Sequence, residues 1–252
     1  MKIIVNNNNL GSYKDSNIEI FDNRIIFKSN GDYTLEVVDS DSINLDIDIL
    51  DDVVVKLFII SCDNNLKVNN HYQLGKNSNL ILFKFYYNNL VNEDVVIDLN
   101  GEHSMVSYNF SSISKGIEEY HIIVNHNNSN VVSKISNKCV GLDGSKIKLQ
   151  IDSNLLKGNV DCLMDQNSKI LTLGDVDARI IPNMFCDDNS VEARHGSVVG
   201  KINSDDIFYL MSRGISEDCS ITLLIKGLIL SNLIVDMEKR AMIFKVIQDI
   251  RR

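Results

Sequence analysis

Proline occurs once in these 252 residues, at Pro182, and tryptophan not at all. With so little proline, turns fall to asparagine and glycine, both of which tolerate positive φ. Cysteine is sparse and odd in number. Cys62, Cys139, Cys162, Cys186 and Cys219 are widely spaced, with no Cys-x-x-Cys pair. That argues against a secreted disulfide framework and for a reducing, cytoplasmic location. Basic residues are outnumbered, 25 against 34 acidic, for a formal net charge of −9. Nucleic acid and acidic membranes want clustered Lys and Arg, so neither is expected as a partner.

Long apolar runs are missing as well. The most apolar stretch, 223–235, is broken by Lys226, Gly227, Ser231 and Asn232. It is too interrupted to span a bilayer and reads as a buried helix. The apolar start, Met1-Lys2-Ile3-Ile4-Val5, is too short for a signal peptide. There is no Gly-x-Ser-x-Gly elbow, no His-Glu-x-x-His helix and no Gly-x-x-x-x-Gly-Lys-Ser/Thr loop. This chain is not expected to bind ATP itself.

What is present, up to about residue 173, is a series of short segments rich in Val, Ile, Phe and Tyr. The spacing predicts strands at 18–21, 24–28, 33–38, 43–49, 53–60, 80–87, 95–99, 120–124, 131–135, 146–151 and 169–173. Asn44-Leu45-Asp46-Ile47-Asp48-Ile49 alternates with a period of two, so one face is wet and one is buried. Turn signals such as Asn30-Gly31, Asn100-Gly101 and Asp143-Gly144 separate the segments. His121 and His126 are placed beside such a turn, as loop residues, and Cys139 and Cys162 in strands, as core. This pattern admits a sandwich, a barrel or a solenoid. From Asn203 the period becomes helical, with Asn203 as N-cap, Asp206 at the third position and Ile207, Leu210 and Met211 on one face. Gly214 reads as a C-terminal stop and Ser216 as the cap of a second helix. A third is expected after Asp236, with Met237, Ala241, Phe244, Ile247 and Ile250 as its apolar positions.

The segment Ala193-Arg194-His195-Gly196-Ser197-Val198-Val199-Gly200-Lys201-Ile202 resembles the Ser-His-Gly-Ala-x-x-Gly-x-Ile motif of the SufB/SufD family of iron–sulfur cluster assembly scaffolds. The run Asp205-Asp206-Ile207-Phe208-Tyr209-Leu210-Met211-Ser212-Arg213-Gly214 looks like the family's Leu-Phe-Tyr-Leu-x-Ser-Arg-Gly segment, in the family's order and spacing. The resemblance implies a mainly β fold, a right-handed parallel β-helix over 1–202, followed by a C-terminal helical region over 203–252. It implies a non-catalytic scaffold handling a transient iron–sulfur cluster. Its partners would be a SufC-type ABC ATPase and a SufB-like paralogue or a second copy of itself. The chain has no room for the long N-terminal helical region of many members. Gly196 after the histidine leans towards the SufD branch, where SufB members carry glutamate.

Under this resemblance, His195 is the candidate iron or cluster ligand, since a neutral imidazole nitrogen binds iron. Its plainer alternative is a hydrogen-bonded histidine in the solenoid wall. Cys186, four residues past Pro182, is the nearest thiol, or else a partly buried strand residue. The position of the SufB thiolate falls on Val176. Phe208, Tyr209, Met211, Arg213 and Gly214 are the expected contacts for the ATPase, or else anchors of the helix on the β-helix end. One reading needs no family. Asp175, Asp177, Asp187 and Asp188 are grouped carboxylates, as in β-helix enzymes acting on carbohydrates. Short Asp-rich turns are also ordinary solvated corners.

Overall fold

The computed structural model describes residues 1–6, 8–62, 65–186 and 190–249. It is a parallel β-solenoid of about six turns followed by three helices. One sheet has the strand order β18 (Val191–Lys201), β16 (Cys162–Thr172), β14 (Val132–Gly141), β12 (Met105–Ser114), β10 (Asn79–Tyr86), β8 (Val54–Ser61), β6 (Gly31–Val38), β1 (Lys2–Asn6) and β2 (Asn9–Leu10). The facing sheet runs β17 (Asp177–Phe185), β15 (Lys146–Leu155), β13 (Ile117–His126), β11 (Leu90–Leu99), β9 (Asn65–Leu74), β7 (Ser42–Ile49), β5 (Arg24–Phe27), β4 (Ile18–Phe21) and β3 (Tyr13–Lys14).

Alternation builds this architecture. In β9 the pattern runs exposed, buried, exposed, buried, so Leu66, Val68, Asn70, Tyr72 and Leu74 point into the solenoid. Each inner residue stacks on its counterpart one turn away, as Val68, Glu93, Tyr120, Leu149 and Ile180 do. Corners use positive φ at Asp52, Asn77, His103, Asn130 and Asp161. Two corner glycines are sterically required. A Cβ on Gly116 would lie 1.8 Å from the Asn89 oxygen, and one on Gly101 would lie 2.0 Å from the Lys76 nitrogen. Stacked asparagines bond along the axis, with Asn127 donating to Asn100 (2.9 Å) and Asn154 to Asn125 (2.9 Å).

The two ends of the solenoid differ. At the N-terminal end, β2 folds antiparallel onto β1, β4 folds antiparallel onto β5, and β3 antiparallel onto β4. These short strands cover the ladder edge, a common guard against edge-to-edge association. At the other end, β17 (nine residues) and β18 (eleven residues) are the terminal strands of their sheets among the described residues.

The lumen holds unexpected polar groups. Lys84 and Glu93 form an ion pair with no exposure on either side. Tyr86 and Tyr108 donate to the two Glu93 oxygens at 2.9 Å each. Burial pulls the Lys84 ammonium down, while Glu93 opposes that shift. One turn of the solenoid further on, Glu118 accepts from Ser112 and Tyr120 at 2.9 Å. Burial pushes its carboxyl up to about 7.

The helices are α1 (Ser204–Ser212), α2 (Glu217–Leu230) and α3 (Met237–Asp249). Asn203 caps α1, its side chain accepting from the Asp205 N–H at 3.0 Å, and Ser216 caps α2. Gly214, at φ +85°, ends α1. Ile221, Ile225 and Ile229 of α2 and Ile243 and Ile247 of α3 pack on an outer apolar stripe of Phe58, Ile60, Phe83, Phe85, Ile113 and Val140. Two sequence expectations change here. The stretch 223–235 is buried on one face only, with Leu223 46% exposed, because it lies on the outside of the solenoid. In α3 the buried pair is Ile243 and Ile247; Met237 and Ala241 face outwards, and Ile250 lies outside the described residues.

One residue clamps this tail to the solenoid. Asn232, 4% exposed, donates through Nδ2 to the carbonyls of Phe110 (2.7 Å) and Ser136 (3.0 Å). Asn232→Ala leaves both carbonyls buried without that donor, at a cost of about 1–3 kcal/mol. The expected result is faster amide exchange in α2 and α3, with β8 to β14 still protected. Equal loss of protection in both would refute this local role.

Candidate functional site

The sequence candidates gather at the bare C-terminal end of the solenoid. Strand β18 pairs in register with β16, so that Cys162 faces Val191, Met164 faces Ala193, Gln166 faces His195, Ser168 faces Ser197 and Ile170 faces Val199. In β16 these are the lumen-facing residues, and their burial shows it. The same parity puts Val191, Ala193, His195, Ser197 and Val199 on the lumen side of β18. Among the described residues no strand pairs with β18 on its far side, and from Glu192 to Val199 every residue is exposed, on either face. It is one strand of eleven residues, mixed in polarity and open. Val198 and Val199 are 55% and 46% exposed.

Below the opening lies a polar floor. Gln166, 2% exposed, donates through Nε2 to Ser153 Oγ (2.8 Å) and to the Asn183 carbonyl (3.1 Å). Its Oε1 is buried with no hydrogen-bond partner. One step deeper, Asn137 donates to Ser168 Oγ at 3.0 Å, and its own Oδ1 is again buried and unpartnered. Sequence reasoning missed this floor, because Gln166 and Asn137 read as ordinary polar strand residues until the register puts Gln166 beneath His195 and Asn137 beneath Ser168 and Ser197.

Pro182 sits in β17, a terminal strand whose described pairing is with β15 alone, and edge strands are where proline is tolerated. Cys186 follows β17 directly and is half-buried, outside any strand. It is close enough to Cys162 to help raise that buried thiol's pKa, after the larger effect of burial. Cys139 and Cys162 are core, as expected, and burial pushes the Cys139 thiol up to about 12. Val176 is half-buried between β16 and β17. Among the described residues no group of three or more His, Cys, Asp and Glu is arranged to hold a metal ion. His195 and Cys186 therefore share one end of the molecule without forming such a group with described residues.

The carboxylate cluster is only partly described. Asp175 is an exposed turn residue whose carbonyl accepts from Gly144 at 2.7 Å. Asp177 is exposed and lies 3.7 Å from Arg179. Asp187 and Asp188 lie outside the described residues. The two loop histidines are corrected: both belong to β13. His121 is on the outer face, 2.7 Å from Asp152. His126 is buried, bonded to Ser133 Oγ (2.8 Å) and the Asn154 carbonyl (3.0 Å), and burial lowers its pKa to about 4. The turn signal after them marks the strand's end, one residue beyond His126.

Helix α1 continues from the open strand, with no buried residue. Phe208, Tyr209 and Met211 are 73%, 57% and 45% exposed, and the Arg213 guanidinium lies 5.3 Å from the Tyr209 ring centre. Ile207 and Leu210 are half-buried, so the inward face is narrower than the spacing predicts and Met211 falls outside it. A groove of about 450 Å³ separates β18 from α2, lined by Val198, Gly200, Leu223 and Leu228 among others. No helix among the described residues is long and apolar enough to cross a membrane.

Residues 60–228 match the family model described as the SufBD core domain of the SUF system for FeS cluster assembly. The chain is similar to an iron–sulfur cluster assembly SufBD family protein of Methanocaldococcus jannaschii, 25% identical over 122 residues, which is 47% of this chain and 37% of the relative. A SufBD family protein of Archaeoglobus fulgidus is 34% identical over 79 residues, covering 30% of this chain and 19% of the relative. One from Pyrococcus horikoshii is 28% identical over 101 residues, covering 37% and 21%. The matched segments thus span well under half of each relative's length.

Proposed function

This chain belongs to the SufBD family of the SUF iron–sulfur cluster assembly system, and on that premise we propose that it is a scaffold subunit working with a SufC-type ABC ATPase. The observation that carries the reading is the asymmetry of the solenoid. One end is capped by antiparallel strands, while the other presents beside the family's motif two long edges that no strand among the described residues pairs with. Unpaired edges of this length are templates for another chain's strands. The proposed occupant is a second copy or a SufB-like paralogue, and Gly196 after His195 favours a SufD-like role. Residues 1–202 form the core in this scheme, and 203–252 the docking tail.

The cluster is cargo. Iron and sulfide meet at the paired ends, with His195 as a ligand from this chain and Cys186 as a second candidate. The partner would contribute further ligands. Phe208, Tyr209, Met211, Arg213 and Gly214 form the contact for the ATPase. Exposed aromatics beside an arginine are the residue types that dominate interfaces. ATP hydrolysis belongs to that partner, and this chain acts by position.

The test is co-expression with the SufC-type ATPase of the same organism and anaerobic size-exclusion chromatography. Wild type should co-elute with the ATPase, and Tyr209→Ala/Arg213→Ala should not. In the wild-type complex, His195→Ala should reduce iron and sulfide bound by about tenfold or more. Failure of well-folded wild-type protein to bind the ATPase removes the scaffold reading in this form. Normal iron and sulfide in His195→Ala removes the ligand role alone.

A further inference from the structure

We propose that Gln166 is a positioning residue for His195, its Oε1 accepting a hydrogen bond from one imidazole N–H so that the other ring nitrogen presents its lone pair outwards. This deepens the reading of His195 as a site residue and rests on it.

Three observations meet here. First, Gln166 and His195 are direct partners in the parallel ladder between β16 and β18, on its lumen side. Neighbouring strands lie about 4.8 Å apart, so the two side chains stack, within hydrogen-bonding reach of each other. Second, the orientation of the Gln166 amide is fixed by chemistry. Asn183 offers a backbone carbonyl, which only accepts, so the group facing it at 3.1 Å is the NH₂. The remaining atom, Oε1, is therefore an acceptor. It is buried and unpartnered, a state that costs about 1–3 kcal/mol unless filled. Third, His195 is exposed above it and is the nearest ladder neighbour on that side with an N–H to give. Exposed side chains change rotamer on the ps–ns scale, so the ring can turn down without moving the strand.

The consequence is specific to a ligand role. A neutral histidine carries one N–H and one lone pair, and the hydrogen bond made by one nitrogen decides which nitrogen is left to bind. A histidine serving only as wall has no use for that choice. Ser153 and Asn183 hold the Gln166 amide from the side, so the acceptor is oriented before any cargo arrives.

The experiment is a long-range ¹H–¹⁵N spectrum of the full chain with ¹⁵N-labelled histidine, at a pH where His195 is neutral. The His195 signal is assigned by its loss in His195→Ala. Wild type should show one dominant tautomer. Gln166→Met, which keeps the volume and loses the acceptor, should show a mixture. Gln166→Asn withdraws the amide by one carbon and should do the same, which covers failure of the first variant to fold. Gln166→Glu keeps an acceptor and should restore the single tautomer. Ser153→Ala removes one of the two acceptors that hold the Gln166 amide and leaves the Asn183 carbonyl, so it should change the tautomer ratio far less than Gln166→Met. An unchanged His195 signal in Gln166→Met or Gln166→Asn overturns the proposal. So does a change in Ser153→Ala as large as that in Gln166→Met. None of these signals depends on iron. Loss of the ligand role in the iron assay is thus distinguishable from loss of the positioning role here.

Discussion

Lys84→Met is expected to lower unfolding free energy by about 3–5 kcal/mol, the usual cost of breaking a buried ion pair from one side. Nothing outside the lumen compensates for its loss. Lys84 and Glu93 are both fully buried, and the Glu93 carboxylate accepts from Lys84, Tyr86 and Tyr108 together. Removing the ammonium leaves a carboxylate in an apolar interior with two neutral donors. Adding Glu93→Gln to the same chain removes the orphaned charge and keeps an acceptor for the tyrosines, and most of the loss should return. Urea melts followed by circular dichroism read all three proteins. A single variant as stable as wild type at pH 8 would show that the pair carries no such weight.

The second large effect concerns Glu118. Its pKa rises from about 4.5 unfolded to about 7 folded, because burial penalises the charged form. The folded state therefore holds this proton more tightly than the unfolded state. The resulting stabilisation is complete below about pH 4.5 and is lost as pH rises through 7. A shift of this size corresponds to about 3 kcal/mol between those limits. Glu118→Gln removes the titration and keeps an oxygen for Ser112 and Tyr120. Wild type should lose stability between pH 5 and 8 relative to Glu118→Gln, and the variant should be the more stable protein at pH 8. Parallel pH profiles for the two proteins would refute the assignment. Carboxylates lowered by ion pairs, such as Glu19 beside Lys28 and Lys14, act at lower pH and cancel in this comparison.

The sequence made some of this legible and hid the rest for physical reasons. Period-two alternation announced strands wherever the inner residues were branched or aromatic, as in β7 and β15. It fell silent for β9 and β12, where polar Asn70 and Ser112 interrupt the inward-facing apolar series. The turn-by-turn repeat was invisible because its length drifts. Val54 pairs with Asn79, Asn79 with Met105, Met105 with Val132 and Val132 with Leu163, so the spacing lengthens from 25 to 31 residues. Helix caps were local and therefore readable, as at Asn203, Gly214 and Ser216. Interior charge was not readable, since Lys84, Glu93 and Glu118 look like surface residues until a facing strand closes over them. His195 stood out through its motif, whereas its floor, Gln166, emerged only from the register between two strands.

The outer apolar stripe has a consequence for the growing chain. Each strand finds its partner one turn earlier, so the solenoid can lengthen as it leaves the ribosome, starting from its capped end. Phe58, Phe83 and Phe85 cannot be covered on that schedule. Their lid is Ile225, Ile229, Ile243 and Ile247, which are made long after them. At about 5–20 residues per second, the stripe stays bare for on the order of ten seconds or longer. Stalled or truncated synthesis would leave a paired, protease-resistant solenoid with a greasy flank, a species for chaperones to hold and, in their absence, for aggregation to collect.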